Sequence, residues 1–129
     1  ILLIYVQRTL SSNTISYTSN ALFAKFNDLM LSNNYKIAHP SCYAKKLKVN
    51  VKLLNETVRE ITHLSCGEFI RSKTVEEAKR LLKYDPMTCN EIADYLGFID
   101  PAYFSRFFKR EVGISPKNFR DTSSQKYNF

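Results

Sequence analysis

Between Thr88 and Arg120 the apolar residues recur at helical spacing in two short runs, with a glycine between them. Ile92, Ala93 and Leu96 share one face of the first run. In the second, Phe104, Phe107, Phe108 and Glu111 cluster on one side when residues are placed about 100° apart. Gly97 lets the backbone turn through positive φ at little cost. Asp100 is a good N-cap, and Pro101 takes the first helical position, where a missing N–H is no loss. Ala102, Ser105, Arg106 and Lys109 fall on the opposite side, giving an outer face that is small, polar and basic. A short helix, a tight turn and a second helix of this kind make the pattern of a helix-turn-helix reader of DNA. They also make an αα-hairpin of any helical protein.

The pattern occurs twice, which separates the two readings. A shift of 50 residues places Leu54 on Phe104, Val58 on Phe108, Leu64 on Ile114, Ser65 on Ser115 and Phe69 on Phe119. The same shift places Lys52, Asn55, Glu56 and Arg59 on Ala102, Ser105, Arg106 and Lys109. Upstream the shift drops to 49, with Ala44 on Ala93 and Leu47 on Leu96, so the first turn is one residue shorter. Asn50 is the N-cap that matches Asp100. Packing alone does not explain a repeat that keeps a polar outer face along with its core face.

The segments ADYLGF and YFSRFFKREVGISPKNFR, preceded by YAKKLKVNVKLLNETVREITHLSCGEFI, resemble the DNA-binding domain of the AraC/XylS family of bacterial transcription regulators. The resemblance covers roughly residues 20–121 and is most specific in its second half. His63 stands where the family usually has glycine, and Cys66 where it often has proline. The resemblance implies an all-α fold of two helix-turn-helix subdomains, homeodomain-like three-helix units joined by a central linker helix. The first motif falls at about 41–62, the linker helix at about 67–83 and the second motif at about 88–112. The implied function is sequence-specific binding of duplex DNA in transcriptional control, with two recognition helices in successive major-groove segments. The rival reading is a helical protein-interaction module without DNA affinity.

In that family the outer face of each reading helix contacts base edges. The matching positions here are Lys52, Asn55 and Glu56 in the first helix, and Ala102, Ser105 and Arg106 in the second. A guanidinium can bond both O6 and N7 of guanine, which makes Arg106 the principal candidate. Asn55 suits adenine, Glu56 can accept from cytosine N4, and Ala102 offers only a methyl contact. Pro101 occupies a place that is often polar in the family. Arg59 and Lys109 lie further along, towards phosphate. Further backbone contacts are expected from helix N-termini and from Lys45, Lys46, Lys48, Lys117 or Arg120. Tyr95, Phe98, Tyr103, Phe104, Phe107 and Phe108 have helical spacing and are expected in the core.

The remaining pattern fills in the chain. Residues 1–20 comprise an apolar segment, ILLIYVQRTL, and a polar Ser/Thr/Asn linker, read as the remnant of an upstream sensing or dimerising domain. The apolar segment is expected to form a helix and is the candidate surface for homodimer formation. Ala21 to Asn33 reads as an amphipathic helix with Leu22, Phe23, Phe26, Leu29 and Met30 as its stripe. Ser41 is expected to N-cap the next helix, which runs to about Leu47. Glu68 to Lys83 is the longest helical pattern; at about 24 Å it would act as a spacer between readers of groove segments about 34 Å apart. Tyr84-Asp85-Pro86 stops it. Ser115-Pro116 starts a closing helix anchored by Phe119, and residues 122–129 are read as a polar, fraying tail.

Composition narrows the function further. With 3 Gly, 4 Pro and 17 Phe plus Tyr, the chain suits helical cores without metal or disulfide support. Net charge is +7, of which residues 1–35 carry +1, so +6 falls on the part holding both repeats. Cys42, Cys66 and Cys89 show no metal-ligand spacing, and free thiols suit the cytoplasm. No cofactor and no metal are expected. The two histidines, without a phosphate loop, H-E-x-x-H or nucleophile elbow, give no catalytic constellation, so no enzyme is expected. The N-terminal apolar run is too short to span a bilayer.

Overall fold

A computed structural model describes residues 19–126, and among them the regular elements are all α-helices. Helix α1 covers residues 19–32, and α2 spans Pro40–Leu47, α3 Val51–Thr62, α4 Cys66–Tyr84, α5 Cys89–Tyr95, α6 Pro101–Val112 and α7 Pro116–Lys126. The expected N-terminal helix, most of the linker and residues 127–129 lie outside the described residues. The described chain forms two compact units. One comprises residues 19–32 and His39–Phe69; the other comprises Asn33–Ala38 and the chain from Ile70 onward.

In the first unit, Leu22, Phe26 and Met30 of α1 are buried at successive turns, as the apolar stripe requires. Phe23 and Leu29, on the edge of that stripe, are half-buried. The Phe26 ring meets Tyr43 edge-on at 5.2 Å and Phe69 at 6.0 Å, and Leu54, Val58 and Cys66 complete the core. Residues 19 and 20, ahead of the expected start at Ala21, are already helical. Helix α2 is capped by His39, not by Ser41: Pro40 occupies the first turn and His39 Nδ1 accepts from the Ser41 amide at 3.1 Å. Ser65 opens α4 through a reciprocal box, its Oγ accepting from Glu68 N while Glu68 Oε1 accepts from Ser65 N.

The second unit is built on Ala78, Leu81 and Leu82 of α4, Ile92 and Ala93 of α5, and Phe104, Phe107 and Phe108 of α6. Phe98, in the turn, packs its ring within 5.0–5.2 Å of Phe107 and Phe104. Thr88 and Glu91 close a capping box at the start of α5. Residues 33–38, expected as a mere connection, pack into this unit. Ile37 N donates to Leu96 O at 2.8 Å, and the buried Thr74 hydroxyl donates to Tyr35 O at 2.8 Å. Helix α7 continues to Lys126, so residues 122–126 are helical where a fraying tail was expected.

The repeat has a conformational signature at the end of α3 and of α6. Gly113 caps α6 at φ 98°, and His63 caps α3 in the same left-handed region at φ 66°. A side chain there is strained, whereas glycine is not. His63→Gly is therefore expected to raise the stability of the first unit by about 1 kcal/mol, seen as a higher denaturation midpoint. The cysteines are free; Cys42 is exposed, Cys89 half-buried and Cys66 buried. Burial pushes the Cys66 thiol up to about 11, leaving it neutral and unreactive near neutrality.

Candidate nucleic-acid interface

Helices α3 and α6 have the same 12-residue length, and each is N-capped by a side-chain oxygen, Asn50 Oδ1 to Leu53 N and Asp100 Oδ1 to Tyr103 N, both 2.7 Å. Their burial follows one profile, position for position, across Val51–Glu60 and Pro101–Arg110. Leu54, Thr57 and Val58 are buried in α3, and Phe104, Phe107 and Phe108 in α6. Lys52, Glu56 and Arg59 are exposed on α3, as Ala102, Arg106 and Lys109 are on α6. Asn55 and Ser105 are half-buried at the margin of each face. Each set therefore lies along the solvent side of its own helix.

The two faces differ in charge. On α3, Lys52 and Arg59 are offset by Glu56 and Glu60. On α6, Arg106, Lys109 and Arg110 face one acid, Glu111, which lies 3.5 Å from Arg71 of α4. Arg106 is also supported from below: its guanidinium carbon stands 5.9 Å from the Tyr103 ring centroid, and Tyr103 rests against buried Phe98 at 5.8 Å. Tyr103, expected in the core, is 49% exposed on the outer face. Its spacing from Phe107 suggested burial, but at the first turn of α6 it lies over the turn and only its inner side is covered. Ile99, in the turn before α6, is 94% exposed and adds to this apolar lead into the face. The offset of Tyr103 by three from Arg106 is the signal that could have placed it on the outer face, and Ile99 carries no such signal.

Two expected contacts are otherwise engaged. Asn55 Oδ1 accepts from the Cys66 amide at 2.9 Å, so this carbonyl caps α4 and is not turned to solvent. Arg120, expected near phosphate, is bound inside the second unit. Its Nε donates to Leu82 O at 2.8 Å and its Nη2 to Asp85 O at 3.0 Å and Leu81 O at 3.3 Å. A guanidinium there satisfies the last carbonyls of α4 and meets the negative end of its dipole. Lys45 and Lys46 on α2, Lys48 in the turn and Lys117 on the first turn of α7 are exposed. Among the described residues no three His, Cys, Asp or Glu side chains gather into a set that could hold a metal ion. Nor is any described helix long and apolar enough to cross a membrane.

Two short helices at a tight turn, the second with a polar and basic outer face, define a helix-turn-helix protein, and this chain carries the motif twice. The family described as a helix-turn-helix domain matches residues 43–122, and the chain belongs to that family, in its AraC/XylS type. It is 29% identical over 83 residues to the HTH-type transcriptional activator RhaR of Salmonella arizonae, a match covering 64% of this chain and 29% of that protein. The chain thus spans under a third of the length of such relatives. Among solved structures it is similar to the DNA-binding domain of AdpA in complex with a target DNA. There the TM-score is 0.72 at 20% identity, covering 81% of this chain and 94% of that one. It is also similar to the C-terminal domain of the two-component response regulator yesN from Fusobacterium nucleatum. That likeness has a TM-score of 0.70 at 25% identity, covering 78% of this chain and 98% of the other.

Proposed function

We propose that this chain binds duplex DNA sequence-specifically in bacterial transcriptional control, α3 and α6 each entering a major-groove segment. The observation that carries the proposal is the doubled exposure profile: two helices bury the same positions and present the same positions to solvent, with charged residues at 56 and 106, 59 and 109, and 60 and 110. Packing requires only the buried half of that repeat. A face carrying Arg106, Lys109 and Arg110 without a free acid suits a polyanion. Membership of a transcription-regulator family supports the regulatory role, which is exercised in the cytoplasm.

Base readout is assigned to Lys52, Glu56, Ala102, Ser105 and Arg106, with Tyr103 shaping the approach of Arg106. Backbone contacts are assigned to Arg59, Lys109, Lys45, Lys46 and Lys117. Selection of bound duplexes from a random pool at stated salt tests the proposal, and two enriched blocks about one helical turn apart are expected. Arg106→Ala is expected to weaken the selected site by about 1–3 kcal/mol and relax one base position, whereas Lys109→Ala weakens all sequences alike. Undiminished discrimination in the Arg106 variant rejects the assignment of that residue. A helical protein-interaction module would show no affinity for duplex DNA even at low salt, where phosphate contacts are strongest.

A further inference from the structure

Building on the DNA-reading role proposed above, the two copies of the motif differ at one place with consequences for what α3 can read. Cys66 opens α4, and its N–H is one of the donors that a helix start leaves without an intrahelical partner. The residue is buried, so water does not serve that donor and the protein must. Asn55 Oδ1 does so at 2.9 Å, from eleven residues upstream. In the second copy the place of Cys66 is taken by Pro116, buried at the start of α7, and the place of Asn55 by Ser105. Proline has no N–H, so nothing there recruits the residue on α6.

We infer that Cys66 is a positioning residue for base recognition: its amide holds the Asn55 carbonyl on α4, withdrawing Asn55 from the reading face of the first helix. Adenine recognition by asparagine uses the amide oxygen and nitrogen on one base edge, accepting from N6 and donating to N7. An amide whose oxygen is turned to Cys66 does not present that edge. The base-reading side chains of α3 are then Lys52 and Glu56, opposite in charge, and most discrimination falls to α6. Residue 66 sets the preference of the first helix without touching DNA. Proline at 66 removes the donor, suits the first position of a helix and releases Asn55 to the groove.

The test compares the wild-type chain with Asn55→Ala, Asn55→Asp, Cys66→Pro and the Asn55→Ala/Cys66→Pro double variant. Each is measured by thermal unfolding and by selection from a random duplex pool. Asn55→Ala is expected to lower Tm by about 4–8 °C, because a buried amide loses its acceptor, and to leave base preference unchanged. Asn55→Asp restores an acceptor at a helix start and recovers Tm, again with unchanged preference. Cys66→Pro is expected to create one new adenine preference of about tenfold within the α3 block, and the double variant to lose it. Loss of an adenine preference on Asn55→Ala in the wild-type background overturns the inference, since Asn55 would already be reading. A folded Cys66→Pro with the wild-type preference overturns it too. Should Cys66→Pro not fold, the Asn55→Ala and Asn55→Asp pair decides alone: Tm moving while preference stays supports the positioning role, and the reverse refutes it. If no variant, nor the wild type, enriches any duplex at low salt, the DNA-reading role itself fails, a result distinct from the others.

Discussion

Replacing Phe108 with alanine is expected to cost the second unit about 3–5 kcal/mol of stability, the range for emptying a buried aromatic site. Phe108 is fully buried on the inner face of α6, with its ring edge-on to Phe119 at 5.5 Å and tilted against Phe104 at 6.0 Å. Alanine removes a ring that packs on both α6 and α7, and α7 loses the partner of its only described aromatic anchor. Since a domain's whole margin is about 5–15 kcal/mol, the urea midpoint should fall steeply while the slope stays constant. Ile99→Ala is the control: at 94% exposure it should change stability by no more than about 0.5 kcal/mol. Equal effects from the two would mean that the inner face of α6 is not the core of this unit.

Arg120→Ala is expected to destabilise the second unit by about 3 kcal/mol, with a quite different signature. Two carbonyls in the last turn of α4 and that of Asp85 just past it lose a charged donor, and charge-assisted hydrogen bonds contribute about 1.5–3 kcal/mol each when shielded, less at this half-buried site. Arg120→Lys should recover only part of the loss, because an ammonium lacks the planar fork that reaches several carbonyls at once. The salt dependence of DNA binding should be unmoved by Arg120→Ala at temperatures where the protein is folded. Lys117→Ala, by contrast, should lower the salt slope by about 1. A lowered slope for Arg120→Ala would return that residue to the phosphate-binding set.

Arg120 illustrates where the linear pattern ran out. Along the sequence it sits beside Lys117 in a basic, polar stretch, indistinguishable from a phosphate contact. Only the return of α7 to the end of α4, 35–39 residues away in the chain, shows that its charge is spent on carbonyls. The Asn55 carbonyl is likewise taken, by an amide eleven residues on. Tyr103 failed in the opposite sense. Period alone put it near the core, but a residue at a helix start overhangs the preceding turn, and how much of that turn remains covered is a tertiary matter. Residues 33–38 carried no local period at all, so their attachment to Leu96 and Thr74 could not be read from the chain.

What the amino-acid sequence determined by itself was everything with a local or periodic cause. The apolar spacing fixed the helices and their inner faces. Asn50, Asp100 and Ser115 marked where helices begin, because a cap needs only the next three residues. The shift of 50 residues fixed the duplication and the pair of solvent faces, and the likeness of the motif residues pointed to the family. What the tertiary structure decided was the allocation of polar side chains: Arg106 propped on Tyr103 and exposed, Arg120 and Asn55 committed to buried backbone groups. A polar side chain binds whichever unsatisfied donor or acceptor the fold brings within about 3 Å, and those partners are set by which helix ends meet, not by neighbours in the chain.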